Sequence, residues 1–280
     1  MDAGQVTRTE VPEAFDEVAD RYDLMVGMSP GYHAQLRASA DALLDAVPDV
    51  AAPRASSAPS APDTSSLSAT ASLRLLDLGC GSGASTRALV ESVRRHAAPG
   101  ARTTARPAAV LAVDGSAGML DAARSKAWPS WVAFAQGRAE DLADQLELAD
   151  ARAAGGLDGV LAAYLVRNVP DRDAVVAAIR DELRPGGVVA LHDYSVRGRP
   201  VSTALWTAMC WGIIIPLGWL TSRRTRLYRY LWRSVLDMDS TAQLEERLRR
   251  AGFVDVTTLH ASGWQRGIVH TVVGRRPVGA

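Results

Sequence analysis

Two stretches of this chain place residues where they could hold a nucleoside and an amino group. The first is Asp77-Leu78-Gly79-Cys80-Gly81-Ser82-Gly83. Glycines at alternate positions directly after a strand let the backbone turn tightly and approach a ligand, and the helix that follows offers free N–H groups. The spacing is G-x-G-x-G, not the dinucleotide fingerprint G-x-G-x-x-G. Asp77, two positions before the first glycine, suits a cationic or amino-bearing ligand better than a pyrophosphate. The second stretch is Asp114-Gly115-Ser116, an acid at the tip of the next strand, placed to accept hydrogen bonds from both hydroxyls of a ribose. Together they predict a nucleoside-type ligand. Cys80 reads as a small packing residue within the loop.

A third set could act on a reacting partner. Arg167 and Asn168 follow the fourth strand, at the carboxyl end of the sheet where open α/β folds bind ligands. The alternative for Arg167 is a surface pair with Asp171 or Asp173. His192 and Asp193 end the fifth strand, and either could be a general base. His33 is a base over the acceptor or a helix residue satisfied by a neighbour. Two cysteines and five histidines without ligand spacing predict no metal site and no disulfide framework.

The elements that must position these residues alternate. Residues 12–47 carry apolar positions at helical spacing, with Pro12 in the first turn. Residues 50–72, nearly all Ala, Ser, Pro and Thr, read as a flexible linker between an N-terminal helical arm (1–49) and the main domain (73–280). Strands are expected at 73–78, 110–113, 131–135, 157–163 and 188–192. Helices are expected at 84–96, 116–126, 171–183 and 241–251, with Pro185-Gly186-Gly187 as a turn. Residues 253–259 and 267–273 read as a hairpin-like pair. This order predicts a doubly wound, mostly parallel α/β sheet with an antiparallel C-terminal edge.

On these motifs the chain resembles the class I S-adenosylmethionine (SAM) methyltransferases. The resemblance implies that Asp77 lies near the methionine amino group and that Asp114 binds the ribose. Further blocks resemble the ubiquinone/menaquinone C-methyltransferase family. They are Tyr22-Asp23-Leu24-Met25 with Ser29-Pro30-Gly31-Tyr32-His33, Asp114-Gly115-Ser116 with Met119-Leu120, and Arg167-Asn168-Val169-Pro170-Asp171. Leu183-Arg184-Pro185-Gly186-Gly187, Tyr230-Leu231-Trp232-Arg233-Ser234 and Gly267-Ile268-Val269-His270 complete the set. The resemblance implies SAM as cofactor, held by Asp77, Gly79, Gly81, Ser82, Gly83, Asp114, Gly115, Ser116, Met119, Arg138, Ala139, Glu140 and Ala163. It further implies carbon methylation of a prenylated quinol such as demethylmenaquinol. In that chemistry Arg167 stabilises a phenolate, directly or through a water, Asn168 orients the hydroxyl and Tyr22 assists.

The chain departs from the family pattern at several places. Val26-Gly27 stands for the usual Asn, Arg138 for a small or acidic residue, Asp141-Leu142-Ala143 for Leu-Pro-Phe, and His192-Asp193-Tyr194-Ser195 for the block after strand five. Two other readings fit these changes. One is a small-molecule methyltransferase of secondary metabolism with an O, N or C acceptor. The other is a non-catalytic SAM-binding protein at a membrane surface.

Hydrophobic residues at 48% and charged residues at 22% exclude wholesale disorder, and 31 basic against 31 acidic residues exclude a general nucleic-acid binder. The balance is uneven along the chain. No acid lies between Asp193 and Asp237, where seven arginines do. Within that insertion (197–236), Val201–Ser222 is uncharged over twenty-two residues. A membrane span there would put the two halves of one sheet on opposite faces. Pro216, Gly212 and Gly218 are expected to break a simple helix, and the stretch reads as a buried helix capping the site. A compatible reading is a lid that lines a pocket for a lipophilic or aromatic acceptor and touches an anionic membrane through 201–233. The N-terminus lacks an apolar signal segment and reads as cytoplasmic, with a peripheral position at the inner membrane face as the consistent extension. Homo-oligomerisation is left open.

Overall fold

The computed structural model describes residues 7–16, 31–48, 73–97, 108–222 and 226–279. A 3-10 turn at Arg8–Glu10 runs into α1 (Val11–Asp16), and α2 spans Tyr32–Ala46. The alternating region then follows: β1 (Leu73–Leu78), α3 (Ala84–His96), β2 (Ala108–Asp114), α4 (Ala117–Arg124) and β3 (Val132–Gln136). After a 3-10 stretch at Ala139–Asp144 come α5 (Ala149–Ala153), β4 (Leu157–Ala163), α6 (Arg172–Glu182) and β5 (Leu183–Tyr194). The insertion forms α7 (Pro200–Met209), α8 (Ile215–Ser222) and α9 (Arg226–Leu236), and α10 (Thr241–Arg250), β6 (Val254–His260) and β7 (Val269–Arg275) close the chain.

The seven strands lie in the order β3-β2-β1-β4-β5-β7-β6. β1 to β5 pair in parallel, while β7 runs antiparallel to β5 and β6. This is the expected doubly wound sheet with an antiparallel edge. Winding reverses between β1 and β4, the place where such sheets open a crevice at their carboxyl ends.

Strand alternation builds a core on each face. Leu76, Leu78, Val160 and Ala162 meet Val175, Val176 and Ile179 of α6. Leu73, Leu75, Leu161 and Ala163 meet Leu36, Ala40 and Leu43 of α2 and Leu89 of α3. α2 is therefore one of the sheet's own covering helices and does not stand off as a separate arm. Residues 17–30, with Tyr22 and Ser29, and the 50–72 linker segment lie outside the described residues. Helix starts follow side-chain chemistry: Ser116 accepts from Met119 N and caps α4, and Asp171 accepts from Ala174 N and caps α6.

Two local expectations change. Pro185-Gly186-Gly187 is taken into β5, because Gly186 N donates to Arg276 O and Arg276 N donates to Gly187 O, extending the antiparallel edge. The uncharged stretch is a continuous helix, not a broken one. Pro216 has no N–H to give, and the helix widens to a π turn at Cys210–Ile214 before it, Ile215 N–H reaching Cys210 O. The extra residue keeps Trp206, Cys210 and Ile215 on one buried stripe that meets Tyr228 and Val235 of α9. Most residues of 200–219 are not buried, so the expectation of a buried capping helix is wrong for most of its length.

Candidate active site

The carboxyl ends of β1, β2 and β4 open on a cleft of about 930 Å³, solvent at its mouth included. Its floor is the glycine loop. Gly79 N and Cys80 N both donate to Val113 O, at 2.8 and 3.1 Å, which pins the loop against the end of β2. Gly79, Gly81 and Gly83 all take the left-handed backbone region, with φ of 76°, 54° and 92°. A Cβ at Gly83 would also sit 2.7 Å from the Trp128 ring, whereas one at Gly81 would meet nothing within 4 Å. Gly83→Ala is therefore expected to cost about 2 kcal/mol in urea denaturation and Gly81→Ala about 1 kcal/mol. Equal midpoints for the two variants would refute the packing account.

Two acids flank the loop in different ways. Asp114 lines the cleft, its carboxylate accepting from Gly81 N at 2.7 Å and Ser116 N at 2.8 Å. Burial raises its titration point and these two N–H bonds oppose the rise. Asp77 stands behind the loop, fully buried. Its Oδ2 accepts from Ser85 Oγ at 2.8 Å and Thr86 Oγ1 at 2.6 Å, while Oδ1 has no hydrogen-bond partner among the described residues. Burial pushes Asp77 up to about 7 against the pull of those hydroxyls.

Of the other expected cofactor residues, Gly79, Gly81, Ser82, Gly115, Met119, Arg138, Ala139, Glu140 and Ala163 line the cleft. Ser116 instead donates to Asp16 Oδ1 at 2.5 Å, and Gly118 N donates to the same oxygen. These bonds seat α1 over the site. Val11, Pro12 and Phe15 thus join the wall, and Arg138 Nη2 donates to Thr9 O at 3.1 Å.

The far wall is aromatic and cationic. Tyr164, the residue after β4, has φ 58°, a conformation that costs a non-glycine residue about 1 kcal/mol or more. Its ring stacks between Tyr32 (5.3 Å) and Tyr194 (4.9 Å), and Tyr194 continues to Trp206 of α7 at 5.1 Å. A hydrogen-bonded chain fixes this ring: Tyr164 Oη donates to Gln35 Oε1 at 3.3 Å and accepts from His192 Nε2, whose Nδ1 meets Thr271 Oγ1. The Arg167 guanidinium lies 5.5 Å from the Tyr164 ring and 5.7 Å from the Tyr194 ring, in cation–π range. Asp193 holds it at 2.6 Å. Asn168 Nδ2 donates to Tyr164 O, and its Oδ1 accepts from Tyr230 of α9.

The structure therefore brings Arg167 and Asn168 to the cleft and withholds three other candidates. His192 lies beneath Tyr164, pushed down to about 3 by burial and by the neighbouring His270 and Arg167 charges; it is a neutral ring that anchors the stack. Asp193 accepts from Arg167 Nη1, Arg167 N and Tyr194 N, which makes it the holder of Arg167. His33 is exposed on α2, edge-on to Tyr32 and outside the cleft wall. Tyr32, Tyr164 and Tyr194 are the residues missed. The signal available for two of them was an aromatic at the carboxyl end of a strand, Tyr164 directly after β4 and Tyr194 as the last residue of β5.

A family model described as the ubiE/COQ5 methyltransferase family matches residues 3–274. The chain belongs to this family. The ubiE/COQ5 relatives include a demethylmenaquinone methyltransferase of Lactococcus lactis, 30% identical over 187 residues, covering 66% of this chain and 67% of the relative. The ubiquinone/menaquinone biosynthesis C-methyltransferase UbiE of Rhizobium johnstonii is 26% identical over 90% of this chain and 84% of its own. The fold is shared with the phosphoethanolamine N-methyltransferase 2 of Haemonchus contortus in complex with SAM, at TM-score 0.53 and 17% identity, covering 98% of this chain and 61% of that one. It is also shared with the chain complexed with the Trm112 methyltransferase activator of Haloferax volcanii, at TM-score 0.55 and 17% identity, covering 94% and 97%. As a ubiE/COQ5 member the protein is a SAM-dependent methyltransferase. The cleft fits that cofactor: a backbone cradle of left-handed glycines, the Asp114 carboxylate at its wall and, behind the loop, a buried Asp77 oxygen without a hydrogen-bond partner among the described residues.

Proposed function

We propose that the protein methylates a ring carbon of a prenylated quinol such as demethylmenaquinol. The observation that carries this reading is Arg167, which lines the cofactor cleft with Tyr164 and lies in cation–π range of the Tyr164 ring and of the Tyr194 ring behind it. When bound, SAM would supply an electrophilic methyl group to the ring carbon, the bonding pair staying on its sulfur. Arg167, cationic at any working pH, stabilises the phenolate oxygen whose charge moves onto that carbon. Asn168, fixed at both ends by Tyr164 O and Tyr230, orients the hydroxyl. The aromatic wall lays a flat acceptor alongside the tyrosines and excludes water. The proton on the methylated carbon leaves to solvent as aromaticity returns. Tyr22 assists at the acceptor in this reading.

The names of the ubiE/COQ5 relatives support the quinol, and the tail would hold such an acceptor in a bilayer, where peripheral contact would be made at the inner face. The test is mass spectrometry of reactions containing purified protein, deuteromethyl-labelled SAM and a panel of demethylated quinols of short and long tail. A labelled methyl on the ring carbon is the expected result. Calorimetric SAM binding with no labelled quinol would overturn the quinol and leave another small-molecule acceptor.

A further inference from the structure

We infer that the α7–α8 helix and α9 form a docking surface for an anionic lipid bilayer, from which the acceptor enters the site. The second half of this statement rests on the quinol reading; the first does not. Among the described side chains the helix 200–222 buries Trp206, Cys210 and Ile215 against the domain, with Gly218 against Tyr228. Elsewhere large apolar side chains lie open on it: Trp211, edge-on to Trp232, is 48% exposed, Ile213 61% and Trp219 54%, and Val201 and Leu205 are exposed as well. Soluble surfaces rarely gather indole and branched apolar side chains this way, whereas the boundary of headgroups and acyl chains favours them.

Charge identifies the occupant. Between Asp193 and Asp237 the chain has arginines and no acid, so the insertion carries positive charge only; Glu10, from the N-terminal turn, pairs with Arg226. Arg229 and Arg233, both on α9, are exposed. A second copy of this chain would bring the same arginines against them, a like-charge contact; an anionic headgroup layer complements them. A span is ruled out by topology. β5 enters the insertion and β7, its direct antiparallel neighbour, follows it, so both ends of the insertion return to one sheet.

The surface is also continuous with the site. Trp206 of α7 packs, tilted by 31°, on Tyr194, which stacks on Tyr164 at the cleft wall. Tyr230 of α9 donates to Asn168 at 3.2 Å. An acceptor whose tail stays in the bilayer can therefore present its ring along the tyrosine stack without leaving the lipid.

The test is co-sedimentation with phosphatidylcholine vesicles and with vesicles containing about one third phosphatidylglycerol. The wild type is compared with the double variant Trp211→Ala/Trp219→Ala and with Arg229→Glu/Arg233→Glu. All of these changes are at exposed positions, and SAM calorimetry reports that each protein is folded. The expected result is binding to anionic vesicles only, weakened about tenfold by either double variant and by raised salt. Methylation of a short-tailed, water-soluble quinol stays unchanged in the tryptophan variant, while turnover of vesicle-embedded quinol falls about tenfold. Absence of vesicle binding by the wild type overturns the surface. So does wild-type binding by both variants, or a wild-type dimer that the tryptophan changes dissociate. Vesicle binding without methylation of any quinol overturns only the acceptor.

Discussion

Arg167→Ala is expected to lower kcat about a thousandfold while SAM affinity stays within about threefold of wild type. The reason is where the charge is needed. In the proposed reaction a phenolate oxygen beside the methylated carbon carries negative charge into the transition state, and a fixed guanidinium there would stabilise it by about 4 kcal/mol. The glycine loop and Asp114, to which the family resemblance assigns the cofactor, follow β1 and β2, whereas Arg167 follows β4 and is held by Asp193. The substitution has a second consequence that must be separated from the first. It leaves Asp193, 3% exposed, without its cation, and a buried carboxylate stripped of its partner costs about 3–5 kcal/mol of stability. The paired variant Arg167→Met/Asp193→Asn removes both charges and is expected to regain most of that stability and none of the activity. Asp193→Asn alone keeps the cation but loosens its aim, so it should lose an intermediate factor of about ten to thirty in kcat. Steady-state rates, SAM calorimetry and urea midpoints on the three variants check this. Activity of Arg167→Ala near wild type, or SAM affinity falling in parallel with kcat, would sink the role.

What could be read from the sequence was the chemistry that is local in the chain. The glycine loop, Asp114 and the Asp171 cap are decided within a few residues by backbone freedom and by side chains that reach the nearest N–H groups. Strand alternation likewise carried the sheet and its antiparallel edge. The aromatic wall was not legible, because its members come from positions 32, 164, 194 and 206 and meet only once the sheet is wound. Tyr164 adds a left-handed backbone that nothing in its side chain announces. His192 and Asp193 share the address expected of a general base, the end of β5, yet burial turned one neutral and Arg167 claimed the other. Uncharged character at 201–222 was visible; that its apolar face points outward depended on one π turn.

Asp77→Asn is expected to abolish a pH dependence that wild type shows in both stability and SAM binding. Asp77 titrates at about 7 in the folded protein against an ordinary 3.8, burial being the main cause. The folded state therefore binds this proton more tightly than the unfolded chain, and the contribution of Asp77 to stability falls as pH rises from about 4 to about 7. The full span corresponds to roughly 4 kcal/mol. His192 and His270 work in the opposite sense: burial pushes them down to about 3 and about 4, so folding grows more favourable as pH rises towards their ordinary 6.5. The raw curve of wild type mixes the two, and the difference between the Asp77→Asn variant and wild type isolates Asp77. That difference should shift in favour of the variant by roughly 2–3 kcal/mol between pH 5 and pH 8, read from urea midpoints. With the amino group of SAM at Asp77, as the family resemblance implies, the cofactor reverses the preference. An ammonium brought to the orphaned Oδ1 stabilises the carboxylate, so SAM binding at pH 6 should release a proton, and affinity should climb towards pH 8. The variant should bind about a hundredfold more weakly at pH 8 and show no climb. Calorimetry in buffers of different ionisation enthalpy measures the proton directly. A binding enthalpy that ignores the buffer, or full affinity in the variant, would show that Asp77 serves only the Ser85 and Thr86 hydroxyls.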